Sequence, residues 1–292
     1  MTLPRIGIFD SGVGGLTVLK AIAEQTPAHL LYFGDTARLP YGTKSAETVA
    51  RYAIEATRYL EAQSIDLLVI ACNTAAALAL PRIKEAAHMP VVGVVEPGAA
   101  MAAEMSKNRA AIVIATEATV SSHAYRDALQ LHGLEAYEKA CPLFVPLVEE
   151  GWVEHPVTEQ VARIYLGEAM AQAPHQADVL VLACTHYPLI APLLRRVVQE
   201  QMQIVDSAES TARLVRKMLS SDDEGEPHLP SSRASRTLRQ GPGPGTLDMK
   251  TPLAEHRTFR FYATDSVEKF KRLATRFLGR QVDNVEHIDL GG

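Results

Sequence analysis

Cysteine is scarce in this chain, with only Cys72, Cys141 and Cys184 among 292 residues. An odd, low count excludes a scaffold held together by disulfides. Because the sequence has no Cys-x-x-Cys pair and no Cys/His cluster, we expect no structural zinc site and no other bound metal. A lone cysteine usually packs as a small hydrophobic residue. Any chemical role must therefore be argued from where each cysteine lies.

Excess positive charge and long apolar runs are also lacking. The chain has 29 Lys and Arg against 34 Asp and Glu, a formal net charge of −5, whereas a nucleic-acid-binding surface is usually basic. No apolar stretch reaches the roughly 18 residues that a membrane-spanning helix needs, and the start, MTLPRIGIFD, lacks the signal-peptide pattern. We therefore expect a soluble, cytoplasmic protein that binds neither nucleic acid nor membrane.

What the sequence does contain is a regular alternation of short, β-branched apolar runs with helical periodicity. Such runs, each followed by a helix, predict an α/β protein with a parallel sheet covered on both faces. Ligands of such proteins bind beyond the carboxyl ends of the strands. The predicted strands are Arg5–Phe9, Leu30–Phe33, Leu67–Ala71, Val91–Val95, Ala110–Ala115, Val179–Ala183, Gln203–Val205 and Phe259–Ala263.

One strand-and-cysteine unit occurs twice. Residues 66–72 (DLLVIAC) and 178–184 (DVLVLAC) are identical at five of seven positions, at an offset of 112 residues. Two buried strands can resemble each other through composition alone. The interpretation we favour is a pair of similar lobes that face each other across a cleft.

Residues 220–257 differ in composition from the rest of the chain. Gly, Pro and Ser account for 14 of these 38 positions, and no residue there is aromatic. Such a segment cannot bury enough apolar surface to offset the entropy of ordering it, so we expect a disordered surface insert. The strand Phe259–Ala263 then predicts renewed order, followed by a helix with Ser266 as its N-cap and Gly279 at its end.

Cys72 and Cys184 each follow a predicted strand and precede a predicted helix, in ACNT and ACTH. The positive end of a helix favours a thiolate at such a position. Two thiols on opposite sides of one ligand suit the inversion of a carbon stereocentre, which needs a base on one face and an acid on the other. A thiol hydrolase would need one cysteine with a histidine base. Cys141 has no such context and is expected to be a packing residue.

Other polar residues follow strands in similar places. Asp10 and Ser11 open the glycine-rich turn DSGVGG, which matches neither a dinucleotide-binding motif nor a P-loop. Backbone N–H groups in this turn are suited to a carboxylate. The remaining candidates, each also compatible with a purely structural role, are Tyr41, Gly42, Asn73, Thr74, Thr119, Glu150, Thr185 and His186.

Taken together, these motifs resemble the cofactor-independent glutamate racemases of bacterial cell-wall synthesis. The resemblance covers nearly all of residues 6–219, and FYATDSVEKF (261–270) is similar to the family's C-terminal end. It is carried by GIFDSGVGGLTVLKAI (7–22), YFGDTARLPYG (32–42), LLVIACNTAAALALP (67–81), VVGVVEPGA (91–99), ATEATVSSHAY (115–125), CPLFVPLVEEGW (141–152) and LACTHYPLI (182–190). It implies two pseudo-symmetric Rossmann-like lobes with parallel sheets and the active site in the cleft between them. The first lobe would be 1–97 plus 209–292, and the second 98–208.

The resemblance also implies an activity: interconversion of L- and D-glutamate by proton transfer, with neither pyridoxal phosphate nor metal, to supply D-glutamate for peptidoglycan. Cys72 would act on the α-proton of the D-enantiomer and Cys184 on that of the L-enantiomer. Asp10 would assist Cys72, whereas His186, with Glu150 nearby, would assist Cys184. The implied substrate contacts are Asp10, Ser11, Tyr41, Gly42, Asn73, Thr74, Thr119, Thr185 and His186.

Three further expectations concern assembly and alternatives. Family members are often homodimers. A racemase for aspartate or another amino acid is the alternative within the same class of enzyme. A two-lobed amino-acid-binding protein without catalysis is the alternative from another class, although a pure binder has no need of two matched thiols.

Deletion of residues 222–256 should leave fold and turnover largely intact, because this composition contributes little to a core. The melting curve followed by circular dichroism and the rate of glutamate racemisation, compared between the full chain and the deletion variant, provide the measurement. Loss of either property would mean that the segment supports the fold.

Overall fold

The computed structural model describes residues 3–173, 177–220 and 257–290. The strands are β1 (Arg5–Asp10), β2 (His29–Gly34), β3 (Leu67–Ile70), β4 (Val91–Gly93), β5 (Ala110–Ala115), β6 (Glu135–Ala140), β7 (Val179–Ala183), β8 (Gln203–Asp206), β9 (Phe259–Ala263) and β10 (Val285–His287). The helices are α1 (Leu16–Gln25), α2 (Ala46–Ala62), α3 (Asn73–Ala86), α4 (Val95–Met105), α5 (Glu117–Ser122), α6 (Ala124–Leu131), α7 (Phe144–Glu149), α8 (Pro156–Gln172), α9 (Ala191–Val197), α10 (Ser207–Ser220) and α11 (Val267–Leu278). Within these ranges, no helix is both long enough and apolar enough to cross a bilayer.

The strands form two parallel sheets, which confirms the predicted α/β class. One has the order β10-β9-β2-β1-β3-β4 and the other β6-β5-β7-β8. We call the six-stranded sheet with its helices the first lobe and the four-stranded sheet with its helices the second lobe. If β10 and β9 are left out, the two sheets have the same strand order. In each, the second strand along the chain lies at one edge and is followed by the first, the third and the fourth. The two similar sequence segments, β3 and β7, therefore occupy equivalent positions.

The repeated strands end in two different ways. All four residues of β3 are buried, and the chain turns at Cys72 directly into α3, where Cys72 Sγ accepts a hydrogen bond from the Ala75 N–H at 3.5 Å. All five residues of β7 are buried as well, but Cys184 leads first into a 3-10 turn, Tyr187–Ile190. Pro188 in this turn lacks the N–H that an α-helical ladder would use.

The glycine-rich turn after β1 packs tightly against its own sheet. The Tyr32 hydroxyl, buried on β2, donates a hydrogen bond of 2.9 Å to the Gly12 carbonyl. A Cβ at Gly34 would overlap that same carbonyl oxygen, and a Cβ at Gly15 would lie 2.7 Å from the Asp10 Cβ. The absence of side chains at these positions therefore allows the turn to lie against β2 and Asp10.

Three local features differ from the sequence prediction. Two strands, β6 and β10, were not predicted. Strand β6 lies at the edge of its sheet, where its residues are half-buried or exposed. Its sequence, EAYEKA, therefore lacks the continuous apolar run on which the strand predictions were based. Ser266 does precede α11, but its backbone is left-handed (φ 49°) and its side chain makes no capping hydrogen bond. A side-chain cap normally requires an extended residue at that position.

The proposed insert 220–257 lies outside the described residues except for its two ends. Ser220 is the last residue of α10, and Arg257 is buried with 5% of its surface exposed. The expectation of disorder for the residues between them therefore stays a prediction.

Tyr32→Phe should lower the free energy of unfolding by about 1–3 kcal/mol, because the buried Gly12 carbonyl would lose its donor. Urea unfolding at neutral pH provides the measurement. Tyr59→Phe is the control, since no hydrogen bond of the Tyr59 hydroxyl is present in the described ranges; it should change stability by less than about 0.5 kcal/mol. Equal losses in both variants would contradict this account of the turn.

Candidate active site

Cys72 is buried where the chain leaves the carboxyl end of β3. The thiol is 5% exposed and donates a hydrogen bond of 3.4 Å to Ser11 Oγ. Burial, with the nearby Asp10 carboxylate, raises the pKa of Cys72 to about 12. The N–H group of Ala75, at the start of α3, does lower this pKa, as expected, but the net shift is opposite to the expected preference for a thiolate. Loss of hydration outweighs the hydrogen bond from Ala75, so Cys72 carries a proton at neutral pH.

Asp10, at the carboxyl end of β1, is the acidic residue beside Cys72. Its Oδ2 accepts a hydrogen bond of 2.9 Å from the Gly12 N–H, whereas its buried Oδ1 has no hydrogen-bond partner within the described ranges. Burial raises the pKa of Asp10, although His186 and the Gly12 N–H partly oppose that rise. A buried carboxylate oxygen without a donor can accept a proton or a ligand's N–H group.

On the second lobe, His186 follows Cys184 closely and forms an ion pair. Its Nε2 lies 3.2 Å from Glu149 Oε1, and 8% of the residue is exposed. Burial lowers the pKa of His186, but its interactions with Cys184 and Glu149 outweigh this and raise the pKa to about 10. The hydrogen bond from His186 in turn lowers the pKa of Glu149. Cys184, also 5% exposed, therefore has a cation as its neighbour at neutral pH.

The acidic partner of His186 is Glu149, whereas the sequence analysis had assigned Glu150. Glu149 is the last residue of α7, and Glu150 is the exposed residue that follows it. Two adjacent glutamates cannot be distinguished by local sequence pattern. Contacts with residues far away in the sequence distinguish the glutamate that pairs with His186, because Lys269 Nζ on α11 lies 3.7 Å from Glu149 Oε2.

The two lobes meet where a glycine approaches the residues after Cys184. A Cβ at Gly14 would lie 2.5 Å from His186 Nδ1 and closer still to Thr185 Oγ1. Thr17, just beyond this turn, donates a hydrogen bond of 3.1 Å from its hydroxyl to the Thr185 carbonyl. Gly14 is not among the residues predicted from the sequence. Its position in DSGVGG was the available signal, because such glycines permit close backbone approach.

A second link between the lobes runs through Asn73. Its Nδ2 donates a hydrogen bond of 3.2 Å to Ser207 Oγ, and its Oδ1 accepts one of 2.6 Å from the Tyr125 hydroxyl. Burial, and then the neighbouring Cys184, raise the pKa of Tyr125. Tyr125 thus lies near Cys184 and also contacts Asn73, the residue that follows Cys72. No sequence pattern predicted this position.

Three threonines form a hydroxyl cluster where α3 and α5 begin. Thr74 Oγ1 lies 3.0 Å from Thr116 Oγ1 and 3.3 Å from Thr119 Oγ1, and the last two oxygens are 2.9 Å apart. The structure thus brings the predicted Thr74 and Thr119 together. Thr116 was missed, although its place after β5 as the N-cap of α5 was a possible signal.

The loop after β2 lies next to this cluster. The side-chain hydroxyl of Tyr41 donates to the buried Asp35 carboxylate, which also accepts a 2.9 Å hydrogen bond from the Thr264 hydroxyl. A Cβ at Gly42 would lie 3.2 Å from Thr116 Cβ. Tyr41 therefore anchors the loop through its side chain, while Gly42 brings the loop backbone to the threonines.

Cys141 has the surroundings of a packing residue. It is fully buried, its thiol donates to the Lys139 carbonyl at 3.6 Å, and burial raises its pKa. As for metals, no three His, Cys, Asp or Glu side chains in the described part of the chain are grouped to hold an ion.

The raised pKa of His186 predicts a pH dependence of stability. Because the pKa is about 10 in the folded chain and about 6.5 in an unfolded one, the stabilisation is complete below about pH 6.5 and is lost as the pH rises through 10. Wild type should therefore lose its stability advantage over His186→Gln across that interval. Urea unfolding at a series of pH values measures this, and a constant difference would contradict the ion pair.

Comparisons with known proteins agree with this architecture. A family model described as Asp/Glu/Hydantoin racemase matches residues 6–215. The chain is 57% identical over 292 residues to the glutamate racemase of Koribacter versatilis, a match that covers 99% of this chain and 98% of that protein.

Solved structures extend the likeness to three dimensions. The crystal structure of a glutamate racemase isoform from Bacillus anthracis superposes with a TM-score of 0.82 at 34% identity, covering 98% of each chain. That of Francisella tularensis glutamate racemase, in complex with D-glutamate, gives a TM-score of 0.81 at 30% identity and the same coverage. The two-lobed fold, the family match and the full-length relatives lead to one conclusion: the chain belongs to the glutamate racemases of the Asp/Glu/Hydantoin racemase family, which are isomerases.

Proposed function

We propose that the protein interconverts L- and D-glutamate by two-base proton transfer, without a bound cofactor: one of Cys72 and Cys184 removes the α-proton, and the other delivers its own proton to the opposite face. The observation that carries this proposal is the placement of the two thiols at equivalent strand ends of two sheets with the same strand order. The choice of glutamate is supported by the names of the relatives and by the D-glutamate in the Francisella structure.

In the direction from L- to D-glutamate, Cys184 removes the α-proton as a thiolate. Its cationic neighbour His186 stabilises that negative charge. Cys72, protonated because burial holds its pKa near 12, then delivers its proton to the opposite face of the α-carbon. In the reverse direction the roles exchange: Asp10 takes the proton that Cys72 must lose before it can act as a base, and the protonated His186 gives Cys184 the proton that it delivers to the α-carbon.

The deprotonated α-carbon needs stabilisation, because the α-proton of an amino acid is far less acidic than a thiol. Preorganised donors around the substrate α-carboxylate provide it: the N–H groups at the start of α3, together with the Asn73 amide and the hydroxyls of Thr74 and Thr119. Since both thiols are only 5% exposed, glutamate must enter while the lobes are apart. Closure then excludes water from the proton transfer.

The remaining parts of the proposal concern architecture and context. The lobes divide at 97/98 in α4 and at 208/209 in α10, so that these two helices join them. Ser11, Tyr41, Gly42 and Thr185 complete the substrate contacts. The protein acts as a homodimer in the cytoplasm. Its product, D-glutamate, is used in the synthesis of peptidoglycan.

Replacing either proposed base should abolish inversion, whereas Cys141→Ser should retain most of the activity. In Cys72→Ser and Cys184→Ser a hydroxyl far less acidic than a thiol would stand in the position of the base, and we expect losses of at least about 100-fold. The assay follows the optical activity of L-glutamate, and separately of L-aspartate, by circular dichroism.

Two outcomes would overturn the proposal. If Cys141→Ser were as damaging as the other two substitutions, the assignment of the bases would be wrong. If the wild-type protein inverted aspartate in preference to glutamate, the substrate would be wrong and the first alternative would replace it.

A further inference from the structure

The helix α11 belongs to the first lobe, since it follows β9, which pairs with β2. Its residues nevertheless reach the ion pair of the second lobe. Lys269 Nζ lies 3.7 Å from Glu149 Oε2, and the Arg276 guanidinium donates to the Glu149 carbonyl. The Phe277 ring meets His186 edge-on, with ring centres 5.3 Å apart. One helix therefore contacts both members of the ion pair.

The contact made by Arg276 depends on a glycine. Gly151 has φ 85°, and a Cβ there would lie 2.7 Å from the Arg276 Cζ. The missing side chain leaves room for the guanidinium beside the end of α7. A helix of only six residues, Phe144–Glu149, is marginal by itself. A cationic donor at its last carbonyls satisfies an otherwise free acceptor and interacts favourably with the helix dipole.

We propose that Arg276 and Phe277 are positioning residues that hold Glu149 and His186 beside Cys184, and thereby control proton transfer at Cys184 but not at Cys72. This inference rests on the proposed function. Because the contacts cross from one lobe to the other, they are complete only when the cleft is closed. The support that α11 gives to the ion pair beside Cys184 is thus completed by the same movement that encloses the substrate.

Arg276→Ala tests the proposal, with Arg272→Ala at an exposed position one turn earlier on α11 as the matched control. A small displacement of a catalytic group can cost about 10- to 100-fold, so we expect a fall of that size in kcat for Arg276→Ala. The KM for glutamate should stay within about twofold, since Arg276 acts through Glu149 and His186. Arg276→Lys, which keeps a cationic donor, should recover part of the rate, and Arg272→Ala should behave as wild type.

Isotope exchange distinguishes this role from general loss of structure. With D-glutamate in D2O, Cys72 still removes the α-proton in Arg276→Ala, but delivery from the Cys184 face is slow. More deuterium should therefore appear in the remaining D-glutamate for each molecule inverted than in wild type. Gly151→Ala, which displaces the guanidinium by a different route, should raise this ratio as well.

The proposal is wrong if Arg276→Ala keeps the wild-type kcat, or if exchange and inversion fall together at an unchanged ratio. Failure of the proposed function has another signature, because in that case the wild-type protein itself would not invert glutamate. That result would remove both proposals, whereas an active wild type with an unaffected Arg276→Ala would remove only this one.

Discussion

The approach of the Gly14 backbone to Thr185 and His186 is the contact on which the rest of the site depends. No side chain can stand at this position without overlapping the second lobe. This contact joins the turn after β1 to the residues after β7, at the carboxyl ends of the two sheets, and Cys72 and Cys184 are both buried. In such surroundings charge is poorly hydrated, so neighbouring side chains determine which groups carry a proton.

The two thiols have different electrostatic surroundings. The backbone repeats, since β3 and β7 hold equivalent positions in their sheets. The neighbouring side chains do not repeat: Cys72 is next to the acidic Asp10, and Cys184 is next to the cation His186. Burial and the neighbouring Asp10 together raise the pKa of Cys72. The fold therefore repeats the positions of the two thiols but not their electrostatic surroundings.

Local patterns explain which features could be predicted. Continuous apolar runs identified β3 and β7, and the abrupt change after each run placed Cys72 and Cys184 at strand ends. The edge strand β6 lacks such a run, because its residues are only partly buried. The choice between Glu149 and Glu150 depends on α11, whose Arg276 is 127 positions away in sequence. The pKa of Cys72 likewise depends on burial in the folded chain, which outweighs the local helix N-terminus on which its prediction was based.

The central claim is that the proton removed from one face of glutamate is not the proton returned to the other. The most direct test is an early-time analysis of L-glutamate incubated with the full chain in D2O, separating the enantiomers and measuring α-deuterium by NMR or mass. The account predicts D-glutamate that carries deuterium at the α-carbon while the remaining L-glutamate still carries protium. D-glutamate that retained the original protium would contradict two opposed bases, because a single group would then have carried the same proton from one face to the other.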